Sequence, residues 1–299
     1  MRLSFSFLRK DLPMIWAALA LVAAGAVIWG VASSNLILKN ERSPLDFSPE
    51  SFGREFETFT VLTDDEVRVE GWLVRCKRPS ESLIVVMHGW GANRADVLPS
   101  TLFLGESYNL AYFDFRNHGR SGGNVTSLGC LEIKDFESVV RYLLDERGPL
   151  AQKLGVFGFS MGGSIALAGA PGIPEIRAVV AESPFSSFND TVERFAGLFY
   201  GIPRWVTPLT LLFARIRLGF DPETCSPIRR VAAISPRPVF LIQSGNDLRM
   251  PPSEGKKLFE AAGEPKELWT VPESDHGEAS EKSPEEYRKR ILSFYEKWL

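Results

Sequence analysis

Apolar positions along this chain fall in short continuous runs separated by turn residues and longer mixed stretches. Leu83–Met87, Lys153–Phe157, Ala178–Ala181 and Val239–Gln243 are largely apolar, the pattern of strands buried on both faces of a parallel sheet. Two further strands are predicted over Glu55–Leu62 and Val67–Arg75, with Thr63-Asp64-Asp65 as their turn, and others at Leu110–Phe115 and Leu268–Val271. Helices are predicted over Ala95–Gly105, Glu132–Glu146, Ser253–Ala262 and Pro284–Leu299. Strand–helix alternation of this kind implies an α/β fold with a doubly wound, mostly parallel sheet, whose ligands bind beyond the carboxyl ends of the strands.

Two segments break the rhythm. Residues 183–233 lie between two expected core strands and are too long for a plain loop. They carry the apolar stretch Phe195–Ile216, interrupted by Pro203 and Pro208, and read as a helical lid over a site. The other is N-terminal. Leu12 to Ala32 carries no charge and, as a helix, spans about 31 Å, enough to cross a bilayer. Trp16 and Trp29 sit near its ends; Arg2, Arg9 and Lys10 precede it, Arg9 and Lys10 more closely than Lys39 and Arg42 follow. That asymmetry places the N-terminus in the cytoplasm and the rest outside. A signal peptide cleaved near Gly30-Val31-Ala32 competes with a single-pass anchor, and the length of the apolar stretch favours the anchor. The expected organisation is an anchor in 1–32, a tether in 33–54 and one domain in 55–299.

Composition narrows the partners. With 44% hydrophobic and 24% charged residues the chain holds an ordinary globular core, and a net charge of −3 gives no basic stripe for nucleic acid. Cys76, Cys130 and Cys225 show neither zinc spacing nor a disulfide framework, so three small buried residues are expected. No P-loop, no HExxH and no GxGxxG is present, and neither a metal nor a cofactor is expected.

Chemistry concentrates in Gly158-Phe159-Ser160-Met161-Gly162, set between a strand and a helix start. Gly-x-Ser-x-Gly in that setting is a nucleophile elbow: a strained turn exposes the serine, and its flanking residues must be small. A serine needs a base, and the chain has three histidines. His276 follows the last strand, where a base can arrive from the sheet edge; His88, at a strand end, is expected to bond neighbouring backbone instead. Asp247, in Ser244-Gly245-Asn246-Asp247 after a buried strand, is the preferred orienting carboxylate over Asp221 and Asp275. Backbone amides of Met161 and Trp90 are the expected oxyanion donors.

With HGWG, DFRNHGRSGG, GFSMGG, SGND and DHGE in this order, the chain resembles the α/β-hydrolase superfamily over about Phe56 to Leu299. It looks most like the Bem46-like and serine-aminopeptidase-like branch, which includes monoacylglycerol lipases and membrane-tethered hydrolases. The resemblance implies an α/β-hydrolase fold, Ser160 as nucleophile, Asp247 as acid, His276 as base, and Trp90 and Met161 as oxyanion donors. It also implies that the Asp114–Gly122 turn is structural. Substrate does not carry over, because the branch spans esterases, lipases, thioesterases and peptidases. The expectation is a membrane-anchored hydrolase of acyl or lipid esters, with a peptidase or thioesterase as alternative and a non-catalytic binding protein behind both.

Overall fold

The computed structural model describes residues 7–299, with side chains from Pro13 onward. Arg2 and the side chains of Arg9 and Lys10, on which the expected charge asymmetry rests, lie outside the described residues. In chain order the elements are α1 (Phe7–Leu38), β1 (Glu57–Leu62), β2 (Arg68–Val74), β3 (Ser82–Met87), α2 (Leu98–Thr101) and β4 (Asn109–Phe113). Then come α3 (Cys130–Arg147), β5 (Lys153–Phe159), α4 (Met161–Gly169), β6 (Ile176–Glu182), α5 (Phe188–Tyr200) and α6 (Thr207–Leu218). The chain closes with β7 (Val239–Ser244), α7 (Pro252–Ala261), β8 (Lys266–Val271), α8 (Ala279–Lys282) and α9 (Pro284–Trp298).

The eight strands form one sheet in the order β1-β2-β4-β3-β5-β6-β7-β8. The β1/β2 and β2/β4 pairs are antiparallel and every later pair is parallel. Alternating side chains feed two cores. Leu83, Val85, Val156 and Val179 pack under α3, α4 and α7, whereas Ile84, Val86, Phe157 and Val180 pack against α2 and α9. Both faces are covered, which is why these runs contain so few polar residues. One expected helix shrinks: of Ala95–Gly105 only α2 is α-helical. Asn93 and Asp96 turn the backbone instead, with Asn93 N–H donating to Asp96 Oδ2 and Ala95 N–H to Asn93 Oδ1.

Helix α1 continues six residues past the expected stop at Ala32. Ser33 and Ser34, polar enough to read as tether, are buried partners of the insert. Thr210 Oγ1 donates to Ser33 Oγ (2.9 Å), and Arg217 donates to Ser34 Oγ (2.8 Å). The segment after α1 is irregular but fastened. Thr126 N–H donates to the Leu38 carbonyl, and Arg42 donates to the carbonyls of Gly119, Ser121 and Gly123.

Helices α5 and α6 form the insert between β6 and β7. Ser187 caps α5 by accepting from Asp190 N–H, an interaction of about 1 kcal/mol. Gly201, at φ 61°, ends it in the left-handed region that glycine tolerates. Pro203 lies in the connection, and Pro208 sits in the first turn of α6, where its missing N–H is no loss.

The cysteines depart from the expected three small buried residues. Cys130, at the start of α3, and Cys225, at the end of the insert, form a disulfide with a Cα–Cα distance of 5.3 Å. Their separation of 95 residues leaves no local spacing to read, so only the fold reveals the pair. Cys76 is the free one.

Candidate active site

Ser160 lies between β5 and α4 at φ 53°, ψ −114°, a conformation rare outside glycine. The turn is held by Ser160 N–H donating to the Glu182 carbonyl (2.8 Å) and by Ser164 N–H donating to the Ser160 carbonyl (3.0 Å). Its small flanks are required. A Cβ on Gly158 would strike the Gly162 carbonyl, and one on Gly162 would strike the carbonyls of Met87 and His88.

The structure brings the three nominated side chains into one line. Ser160 Oγ donates to His276 Nε2 at 3.0 Å, and His276 Nδ1 donates to Asp247 Oδ2 at 2.6 Å. A carboxylate only accepts, so this pairing puts the ring proton on Nδ1 and leaves Nε2 free to receive. Asp247 is buried, and its other oxygen accepts from the backbone N–H of Arg249 (2.8 Å) and Met250 (2.7 Å). Three donors fix this carboxyl, and the tight exit at Gly245, whose N–H donates to the Val271 carbonyl of β8, turns the loop back to supply two of them.

The loop after β3 passes directly over the serine, with the position of a Gly89 Cβ 3.3 Å from Ser160 Cβ. Among the described residues, neither the Trp90 nor the Met161 backbone N–H has an acceptor. His118 carries this loop: its Nε2 accepts from Gly91 N–H (3.3 Å) and its Nδ1 donates to the Arg116 carbonyl (2.8 Å). His88 bonds backbone on both sides, Nδ1 to the Gly89 carbonyl (2.7 Å) and Nε2 from Phe115 N–H (3.0 Å). Burial, with His118 alongside, holds the His88 imidazole well below its usual range, so it stays neutral. Asp114 anchors the same turn, accepting from the backbone N–H of Arg94 and Arg120 and from the Arg94 guanidinium.

Two cavities flank His276. One, of about 320 Å³, is lined by Ser160, Trp90, Phe195 and Phe199 together with Leu36 and Ile37 of α1. Its lining contains no acidic residue among the described residues. The other, of about 440 Å³, lies on the far side and includes Glu182, Tyr287 and Arg288. Burial pushes the Glu182 carboxyl up to about 7, even though Tyr287 donates to it at 2.6 Å. Nothing in the local sequence flags Glu182, because an acidic residue at a strand end ordinarily faces solvent. The α1 residues Leu36 and Ile37 escape notice because they fall in the stretch read as a tether, past the apolar segment that ends at Ala32. Among the described residues no group of three or more potential metal ligands occurs.

The sequence and the fold have counterparts among known proteins. A profile of the prolyl oligopeptidase family matches residues 123–299. YqkD of Bacillus subtilis (strain 168) is 31% identical over 215 residues, covering 71% of this chain and 70% of that protein. Protein bem46 of Schizosaccharomyces pombe is 25% identical over 240 residues, covering 77% of this chain and 74% of its own length. The chain belongs to the Bem46-like branch of the α/β-hydrolase superfamily. Among solved structures, the Pyrococcus furiosus esterase Pf2001 is similar with a TM-score of 0.74 and 27% identity, over 88% of this chain and 98% of that one. As an α/β-hydrolase the protein has a mostly parallel sheet that presents its elbow at the strand ends, and it is a hydrolase.

Proposed function

We propose that this α/β-hydrolase is a membrane-anchored serine esterase that cleaves carboxylic acyl esters through an acyl-enzyme. The observation that carries it is the unbroken hydrogen-bonded line from Asp247 through His276 to Ser160 Oγ. Ser160 Oγ attacks the ester carbonyl while His276 Nε2 takes its proton. Charge on the carbonyl oxygen is met by the free N–H groups of Trp90 and Met161, each such donor being worth about 3–4 kcal/mol in the transition state. The C–O bond then breaks, the leaving alcohol takes the proton from His276, and the acyl group stays on Ser160. Water, deprotonated by the same His276, attacks the acyl carbon and releases the acid, returning the proton to Ser160. Asp247 holds His276 in the tautomer that both steps need.

A peptidase is the second reading, favoured by the family profile over residues 123–299. The ester reading stands ahead of it because the cavity beside Ser160 is mostly apolar, with Arg249 as its charged residue, and offers no carboxylate to a peptide's free ammonium, which would be left unpaired. Likeness to an esterase over 88% of the chain supports the same choice.

Helix α1 serves as the anchor. From Pro13 to Leu38 it is long and apolar enough to cross a bilayer, and its outer surface is bare: Met14 is 69% and Val22 71% exposed. The Cys130–Cys225 disulfide supports an extracytoplasmic domain, because such bonds persist in oxidising compartments.

A fluorophosphonate probe tests the chemistry: it is expected to label wild type and not Ser160→Ala. Equal labelling of the two would remove the serine assignment. Hydrolysis of p-nitrophenyl esters beside aminoacyl-nitroanilides separates the two substrate readings, and preference for the anilides would overturn the ester one. Protease protection of tagged termini reports the side of the membrane.

A further inference from the structure

The cavity beside Ser160 is built by two parts of the chain that stand apart in sequence. One wall is Trp90 with Phe195 and Phe199 of α5; the other is Ser33, Leu36 and Ile37, in the last two turns of α1. That wall is fixed in place. Gly30 lies so close to the Phe213 ring of α6 that a Cβ there would overlap it. Ser33 and Ser34 are buried and bonded to Thr210 and Arg217, and Leu38 is 1% exposed. Beyond the helix, the Arg42 guanidinium and the Leu38 carbonyl tie the exit to the turns that flank the site. The helix is thus part of the domain from Gly30 to Leu38 and bare along the rest.

We propose that the last two turns of α1, Ser33–Leu38, are a specificity-determining wall of the acyl subsite, which takes the chain of a long-chain acyl ester resident in the bilayer. This rests on the serine-esterase reading. Depth argues for it. Pro13 to Ala32 alone span about 30 Å, the thickness of the hydrocarbon, so Ser33–Leu38 fall at headgroup level where lipid ester groups lie. Around the cavity, Phe199 and Tyr200 are half-exposed, and Trp205 at the insert's tip is 83% exposed. Aromatic side chains of this kind favour the bilayer interface. A chain leaving the hydrocarbon along α1 reaches the serine against Leu36 on one side and Phe195 and Phe199 on the other, without crossing water.

The test uses the full chain with p-nitrophenyl palmitate and p-nitrophenyl butyrate dispersed in phosphatidylcholine vesicles, reading the ratio of kcat/KM for the two. Leu36→Trp fills the wall and is expected to lower the palmitate-to-butyrate ratio by about tenfold or more. Leu36→Ala is expected to raise it, and Val22→Trp, on the bare part of the same helix, to keep the wild-type ratio. Fluorophosphonate labelling of Ser160 runs in parallel as the sign of an assembled site. Wild-type ratios in both Leu36 variants, with labelling intact, would overturn the proposal while leaving the esterase reading standing. Absence of labelling in wild type would instead overturn the esterase reading. If Leu36→Trp loses labelling, Leu36→Ala decides: a raised ratio supports the wall and an unchanged one overturns it.

Discussion

Asp247 and Glu182 are two buried carboxyl groups at the ends of neighbouring strands, on either side of His276, and their surroundings differ in one respect. Asp247 accepts from two backbone N–H groups and from His276. Glu182 has one donor to its side chain, the Tyr287 hydroxyl, and burial raises it to about 7. Position in an α/β-hydrolase sheet does not by itself make a carboxyl an orienting group. Donors do, and they come from the shape of the loop: the turn after β7 folds its own amides back onto Asp247, whereas β6 ends with Glu182 still in the strand.

Substituting one group at a time breaks the comparison. Asp247→Asn keeps the size and loses the charge, and is expected to lower kcat by about 10⁴-fold through the wrong His276 tautomer, read by ester hydrolysis at neutral pH. Glu182→Gln is expected to keep ester hydrolysis and to change the pH dependence of stability. The sign follows from the raised value: between about 4.5 and about 7 the unfolded chain sheds this proton while the folded one keeps it. Stability is therefore full below that window and declines by about 3 kcal/mol as pH rises through it. Urea denaturation across the window should show that decline in wild type and not in the variant. Tyr287→Phe removes the single donor and is expected to cost about 1–3 kcal/mol at neutral pH, measured by the same denaturation. An equal kcat loss in Asp247→Asn and Glu182→Gln would erase the distinction.

Most of the sheet is legible in the sequence because a strand covered on both faces writes its burial as a continuous apolar run, as Leu83–Met87 and Val239–Gln243 do. Ser160, Asp247 and His276 are nominated together because each follows a strand within a few residues and has a glycine nearby, so local pattern and chain order point the same way. What escapes is what depends on distant partners. Ser33 and Ser34 read as tether because their polarity is visible and their partners, Thr210 and Arg217, are far away in the chain. The Cys130–Cys225 bond escapes for the same reason. The short α2 is a milder case, where Asn93 and Asp96 capture backbone groups that a helix would have used.

Both ends of the insert are moored at one spot. Near its start, Ser187 Oγ and Asn189 N–H donate to Glu223 Oε2, and near its end Cys225 is bonded to α3. A flap swinging from a single hinge needs one end loose, and here neither is. The part left to yield is the bend from Gly201 to Val206, between α5 and α6, where Trp205 projects. An opening of the insert would then resemble the parting of a fingertip more than the lifting of a cover. A crosslink across that bend would throttle turnover while one at the insert's base would not.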